Sequence, residues 1–380
     1  MSKNSAYTLI IAVLGLVSIG LVILTSVGAF ARGNNGEEFF FVKRQAVFLG
    51  GGLALCLVAM KIDYHRWIKF APLLFIVGVA LMLACFLPHI GVKVNGAHRW
   101  LRVGPVGIQP MEIAKLGFVV TLAWWFGTKE KLAVNFKDGV LKPLLLLGMA
   151  AAACALQKDI GTAALLLFLC LVVMFVAGVK CRWLGALALT GLCGVAGLAF
   201  HSPQKWDRVM AFLHPEKYAG AEADQLINAL IALGSGGLTG LGLGKGVQKM
   251  KYLAEAQTDF IFPNIGEELG VICTLTVVFL FLLLVMSGGV ISLHAKDKTG
   301  LLIGIGVTSL IGMQGLMNLL VTTGLMPTKG IGLPFISYGG TNLLLCFGLI
   351  GILLNIHFQA VYETRKNRPA NVPAAMTARM

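Results

Sequence analysis

The chain has 380 residues, of which 57% are hydrophobic and only 13% charged, with a formal net charge of +14. A soluble chain of this length carries about 25% charged residues and divides into two or three domains. This composition excludes that class and points to one helical bundle in lipid, where each backbone group is satisfied within its own helix.

A membrane span needs about 20 apolar residues. In chain order the candidates are 7–31, 41–61, 68–88, 111–127, 141–157, 160–179, 183–200, 264–290, 300–322 and 341–360. The expected fold is therefore all-α, a polytopic membrane protein of about ten transmembrane helices with both termini on one side. The first run ends in Ala29-Phe30-Ala31, like a signal-peptidase site. It is longer than a signal h-region of about 7–15 residues, so it reads as a retained first span. Lys and Arg are nearly balanced between the two sides until the long loop 201–262 is discounted, as long loops weigh little in orientation. The cluster Lys129, Lys131, Lys137, Lys142 and the tail 361–380, with Arg365, Lys366 and Arg368, then face the cytoplasm. No internal repeat or linker marks a second domain.

The basic residues lie mostly in loops, and no basic stripe alternates with aromatics. The charge thus speaks for anionic membrane lipid or a phosphate-bearing ligand, and against nucleic acid. None of the eight cysteines forms a C-x-x-C pair, and nearly all sit in apolar runs, as small buried hydrophobes do. The seven histidines are scattered without H-E-x-x-H, so no zinc site is expected.

Ionisable groups at membrane depth are candidates for function. Glu112 and Lys115 open the fourth span behind Pro110, and their i, i+3 spacing puts them on one helix face. They form either a working pair facing a cavity or an ion pair closing a helix end. Upstream, Arg99, Trp100 and Arg102 fit an interfacial anchor with lipid-phosphate contacts. Asp159 caps the sixth helix, serves a site, or does both. The loop 201–262 begins with mixed charges from Lys205 to Asp224. It turns apolar at 226–233, enters a glycine run from Gly234 to Gly246, and ends at Lys249, Lys251, Glu255 and Asp259. A partly re-entrant extracytoplasmic loop lining a cavity has this pattern. Asp259 precedes Phe260-Ile261-Phe262, and a carboxylate beside apolar surface has a raised pKa and can act as a base; a helix cap is the alternative. Glu267 and Glu268 complement the next helix's dipole or bind a cation. The glycine run is not a Walker loop, since Lys245 is followed by Gly246. It supplies flexible packing or amide donors near a phosphate. Between the ninth and tenth spans, 324–341 is dense in Pro and Gly and carries Lys329, Ser337 and Tyr338, a structured external loop.

Taken in order, NGAHRW, QPMEIAK, QKDIGT, ALGSGGLTGLGLG, QKMKYLAEAQTDFIF, GEELG and MPTKGIGLPFISYGG resemble the SEDS glycosyltransferases, the FtsW/RodA/SpoVE family of bacterial cell-wall polymerases. The likeness spans most of the chain. The QK-x-x-YL and MPTKG wording is closer to FtsW, and GIGLPF is closer to RodA. The resemblance implies a single SEDS-type transmembrane domain over 1–380. It also implies an enzyme that polymerises lipid II into glycan strands, releasing undecaprenyl pyrophosphate, in division or elongation. It implies that Asp259 is the essential acidic residue of the TDFIF motif, with Glu112, Lys115 and Asp159 as the matching charged residues of the earlier motifs. Arg99, Arg102, Lys329, Ser337 and Tyr338 join them as candidate substrate-binding residues. The sequence departs from the family pattern at His98, Met111, Lys158, Ala254, Gln257, Pro263 and Asn264, while its acidic residues stay. The expected partners are lipid II, an undecaprenyl-linked glycan and a class B penicillin-binding protein, with the bacterial inner (plasma) membrane as location. A divalent cation (Mg or Mn) bridging carboxylate and phosphate is the one candidate cofactor. A lipid II flippase and a non-catalytic scaffold of the division machinery are the rival functions.

Overall fold

The computed structural model describes residues 4–28, 39–94, 96–103, 106–128, 130–200, 202–214, 217, 221–251, 253 and 255–366. Of the residues singled out in the sequence, Ala29, Phe30, Ala31, Asn95, Lys129, Tyr252, Ala254 and Arg368 lie outside the described residues.

The protein is built of helices. The first half holds α1 (Asn4–Gly28), α2 (Phe40–Lys61), the short α3 (Tyr64–Lys69), α4 (Ala71–Ala84), α5 (Pro110–Thr128), α6 (Lys142–Leu156) and α7 (Ile160–Ala177). The second half holds α8 (Cys181–Phe200), α9 (Pro203–Leu213), α10 (Ala221–Ser235), α11 (Gln248–Lys251), α12 (Ile261–Leu293), α13 (Lys298–Thr322) and α14 (Gly340–Lys366). Among the described residues each expected apolar run falls mainly on helix, but 68–88 is divided between α3 and α4 and ends in turn after Ala84, and 264–290 is interrupted at Gly270. Seven helices are long and apolar enough to cross a membrane, and Ala71–Ala84 and Cys181–Gly197 are shorter apolar helices. The chain is a multi-pass membrane protein. α14 runs on to Lys366, so the expected tail from 361 begins as helix.

Two features go beyond the all-helical expectation. A three-stranded antiparallel sheet, β1 (Gly91–Val94), β2 (Ala97–Val103) and β3 (Val106–Ile108), fills the link between α4 and α5. Its β1–β2 register pairs Val92 with Trp100 but Lys93 with His98, so Arg99 is the extra residue of a bulge. Bulges bend a strand and re-aim a side chain. The long loop is also not irregular throughout, since it carries α9, α10 and α11.

The second feature is a break in α12. Gly270 has φ 76° and ψ −178°, a conformation open to glycine alone. The freed backbone is taken by the glycine run. Leu241 and Gly242 N–H donate to the carbonyls of Glu267 and Glu268, while Val271 and Ile272 N–H donate to Gly237 and Leu238. The loop is thereby hydrogen-bonded into a discontinuous helix, which is how irregular backbone is tolerated at membrane depth.

Caps and packing fix where the helices begin. Asp159 caps α7 by accepting from Thr162 N–H at 3.1 Å and Thr162 Oγ1 at 2.8 Å. α5 is held against α4 by a Thr121 hydroxyl donating to the Ala71 carbonyl at 2.9 Å and by the Phe75–Phe118 ring pair at 5.9 Å. The starts of α5, α7, α12 and α14 and the end of α13 meet at one end of the bundle. The last turns of α2 and α14 and the α12–α13 turn meet at the other, where His65 bridges Asp63 and Asp297 and Gln359 donates to Asp63.

Candidate active site

At the first end, Glu112 and Lys115 form an ion pair of 2.7 Å with both residues buried. Only one carboxylate oxygen is used, and Glu112 Oε2 has no hydrogen-bond partner. A buried oxygen left so costs about 1–3 kcal/mol, which a ligand donor would recover.

Next to this pair is the turn that opens α7. Lys158 stands at φ 57°, and the carbonyls of Gln157 and Lys158 accept from the Arg99 guanidinium at 3.2 and 2.8 Å. The Gln157 amide donates to the Met82 carbonyl, tying the turn to α4. The bulge in β2 thus places a cation over the mouth of α7. Lys329 lies across Gly161, where a Cβ would overlap the lysine's Cε. Its ammonium is buried and has no hydrogen-bond partner. Burial pushes the Lys329 pKa down to about 8; Asp159 opposes this, and Lys115 and Arg99 add to it. Burial works to raise the Asp159 pKa, but Arg99, Lys329 and the Thr162 hydrogen bonds outweigh it and hold the carboxyl below its ordinary value.

Asp259 sits on a tight turn just before α12. Glu255 occupies the left-handed region at φ 55°, and its carbonyl accepts from Thr258 and Phe260 N–H. The loop between α13 and α14 grips this turn. The Ser337 hydroxyl donates to the Thr258 carbonyl at 2.5 Å and accepts from Leu333 N–H at 2.7 Å. Tyr338 N–H donates to the Gln257 carbonyl at 2.9 Å, while its ring packs edge-on against Phe41 at 4.8 Å. Asn318 of α13 donates to the carbonyls of Asp259 and Ile331, each at 2.7 Å. Gly330 leaves room for the carboxylate, since a Cβ there would stand 2.7 Å from Asp259 Oδ2. Burial raises the Asp259 pKa to about 7; Glu255 and Asp159 add to this, and Arg99 and Arg208 oppose it. A carboxyl with that pKa exchanges a proton near neutral pH.

Asp259, Asp159, Arg99 and Lys329 therefore form one electrostatic cluster, joined through Lys329 to Lys115 and its partner Glu112. Ser337 and Tyr338 hold its walls through backbone bonds. Arg102 is exposed on β2, paired with Gly107, and among the described contacts none joins it to the cluster. Sequence reasoning passed over Lys205 and Arg208 of α9. Arg208 acts on Asp259, and the electrostatics of Lys205 couple it to Arg99 and Asp159. Their i, i+3 spacing on an amphipathic helix was the available signal. Gln45 was also missed: its amide donates to the Ser337 carbonyl at 3.1 Å.

The glycine-run amides, expected as phosphate donors or packing, turn inward. Gly244 and Gly246 N–H donate to the Glu268 carboxylate, and Val247 and Gln248 N–H to Glu267. Glu268 also accepts from Ser26 at 2.8 Å and pairs with the fully buried Lys249. These two glutamates lock the loop to the broken helix. Among the described residues, no group of three or more His, Cys, Asp or Glu is placed to hold a metal ion. Asp259 stands among both carboxylates and cations, and a divalent ion there would need substrate phosphate to complete its shell.

The sequence profile of the cell cycle protein family FtsW/RodA/SpoVE matches residues 7–362. The chain belongs to this family. Relatives match it nearly end to end. It is 36% identical to a probable peptidoglycan glycosyltransferase FtsW of Geobacter sp. (strain M18), covering 94% of this chain and 98% of that one. It is 37% identical to stage V sporulation protein E of Bacillus subtilis (strain 168), covering 92% and 95%. Among solved structures it resembles a chain of a peptidoglycan synthase complex that coordinates polymerization and crosslinking, with TM-score 0.75, 27% identity and coverage of 93% and 98%. It also resembles the rod shape determining protein RodA of Thermus thermophilus, with TM-score 0.68, 27% identity and coverage of 93% and 96%.

Proposed function

We propose that this FtsW/RodA/SpoVE protein is a peptidoglycan glycosyltransferase that polymerises lipid II with Asp259 as its general base. The carrying observation is that the Asp259 carboxylate lies against Gly330, while the neighbouring Lys329 holds a buried ammonium with no hydrogen-bond partner in the same cluster as Asp159 and Arg99. A sugar hydroxyl of the acceptor attacks the anomeric carbon of the donor. The new C–O bond forms as the bond to pyrophosphate breaks, the electron pair leaves with the pyrophosphate, and Asp259 takes the hydroxyl proton. Charge builds on the departing undecaprenyl pyrophosphate, where preorganised cations contribute most. Lys329, Arg99 and Lys115 supply them, and Asp159 orients Lys329. Glu112 holds Lys115, and its free oxygen accepts from a sugar hydroxyl. Arg102 reaches lipid phosphate at the rim. Asp259 with substrate phosphate would hold a divalent cation, Mg or Mn, which would supply charge neutralisation; no step here requires it.

The chain acts as a single domain in the bacterial inner membrane with about ten spans. Its catalytic end, walled by 201–262, is extracytoplasmic, and its termini, including 361–380, are cytoplasmic. The helix ends that meet at the site lie opposite the last turn of α14, which supports this orientation. A class B penicillin-binding protein is the partner, a reading supported by the likeness to the synthase complex. The test is lipid II polymerisation by Asp259→Asn beside the unsubstituted protein, each with its partner, with headgroup translocation measured in proteoliposomes. Loss of glycan strands supports the base. Translocation without polymerisation by the unsubstituted protein would instead favour a flippase, and neither activity would favour a scaffold.

A further inference from the structure

At the end of the bundle opposite Asp259, a cleft of about 460 Å³ opens between the last turns of α2 and α14 and the α12–α13 turn. Its lining includes Lys61 and Lys296, Asp63 and Glu363, and Phe358 and Tyr362. Two cations, two carboxylates and two aromatic rings share one recess. The pairing across it is loose. Lys296 and Glu363 stand 3.3 Å apart with both side chains more than a third exposed, so exchanging their contact costs little. Asp63 is already engaged by His65 and Gln359, which leaves Glu363 the more available anion. Phe358 and Tyr362 present exposed rings, at 51% and 72%. Leu57 and Val58, one turn before Lys61, are 54% and 52% exposed on the outside of α2.

We infer that this cleft is a specific site for a membrane phospholipid whose headgroup carries both a phosphate and a primary ammonium. Lys61 and Lys296 take the phosphate by charge-assisted hydrogen bonds. Glu363 takes the ammonium, and the Tyr362 or Phe358 ring face adds a cation–π contact. The acyl chains run along the apolar outside of α2 past Val58 and Leu57. A purely anionic headgroup leaves Glu363 and Asp63 facing like charge, and a trimethylated ammonium cannot donate to Glu363. The mixed set of side chains selects a zwitterion with N–H donors. Basic recesses between helix ends are known to hold anionic headgroups; the added carboxylates set this one apart.

Native mass spectrometry of the full-length protein in mild detergent tests this. The protein is equilibrated in turn with phosphatidylethanolamine, phosphatidylglycerol and phosphatidylcholine, and the retained lipid is counted. The expected result is preferential retention of phosphatidylethanolamine. Lys61→Met with Lys296→Met removes both phosphate contacts and weakens it about tenfold or more. Glu363→Gln removes the preference over phosphatidylglycerol while leaving phosphatidylglycerol retention intact. Melting temperature checks that each variant is folded, and all three positions are surface residues remote from Asp259. Glycerophosphoethanolamine, the headgroup without chains, competes only at far higher concentration. Equal retention of the three lipids, unchanged retention in both variants, or competition by the bare headgroup at the same concentration as the lipid overturns the proposal.

Discussion

Gly161→Ala is the smallest change that tests the role of Lys329. The alanine Cβ would occupy the place of the lysine's Cε, so the side chain must leave its bed across α7. Gly161 lies in the first turn of α7, and replacing glycine by alanine in a helix gains up to about 1 kcal/mol of propensity. The variant is therefore expected to fold, with the overlap relieved by a swing of Lys329. A displacement of about 1 Å in a positioning group costs on the order of 100-fold in rate. The assay is lipid II polymerisation followed by gel separation of glycan strands, with melting temperature as the control for folding. Lys329→Met should lose activity to a similar degree, since the cation is then absent. The double variant should be no worse than either single one, as both remove the same contact. Additive losses, or full activity in Gly161→Ala while Lys329→Met is inactive, would refute the placement of Lys329 over Gly161 in the working enzyme.

Other consequences follow from the same geometry. Asp259 must be deprotonated to accept a proton, so polymerisation should fall as pH drops through about 7. Because Glu255 helps raise that pKa, Glu255→Gln should move the acid limb of the pH–rate profile to lower pH; an unmoved limb would separate the limb from Asp259. Lys249→Met leaves the Glu268 carboxylate buried with only neutral donors, the loop amides and the Ser26 hydroxyl, and should destabilise the fold by about 3–5 kcal/mol, read as a lower melting temperature. Adding Glu268→Gln to it should recover part of that loss. Ser337→Ala removes the partner of the Thr258 carbonyl and of Leu333 N–H, costing about 1–3 kcal/mol locally. It should lower polymerisation by loosening the Asp259 turn, with faster amide exchange at 255–260.

The helices were legible because apolar runs of span length have few alternatives in lipid. Asp159 as a cap was legible from its place between two such runs, and the Glu112–Lys115 pair from its spacing. Three features were not. The sheet at 91–108 is short and rich in glycine and charge, so no alternating pattern announces it, and Arg99 reaches its place only through a bulge that periodicity cannot reveal. The break at Gly270 reads as ordinary helix, because the compensating bonds come from residues 237–242 of the glycine run, distant in the chain. Glu267 and Glu268 read as dipole or cation ligands, and only the fold shows their partners to be the glycine-run amides and Lys249. Lys329, Ser337 and Tyr338 were visible as polar groups in a structured loop. The division between a cation facing the site and two clamps holding it depends on contacts with residues 257–258 and Gly161, far away in sequence.

Polymerisation of lipid II by purified Asp259→Asn, with the proposed penicillin-binding partner present and folding verified, tests the central claim most directly. The amide keeps the shape of the side chain and its backbone bonds but cannot take a proton at neutral pH. No glycan strands above background are expected, with lipid II still bound. Strands of normal length at the normal rate would contradict the assignment of Asp259 as the base.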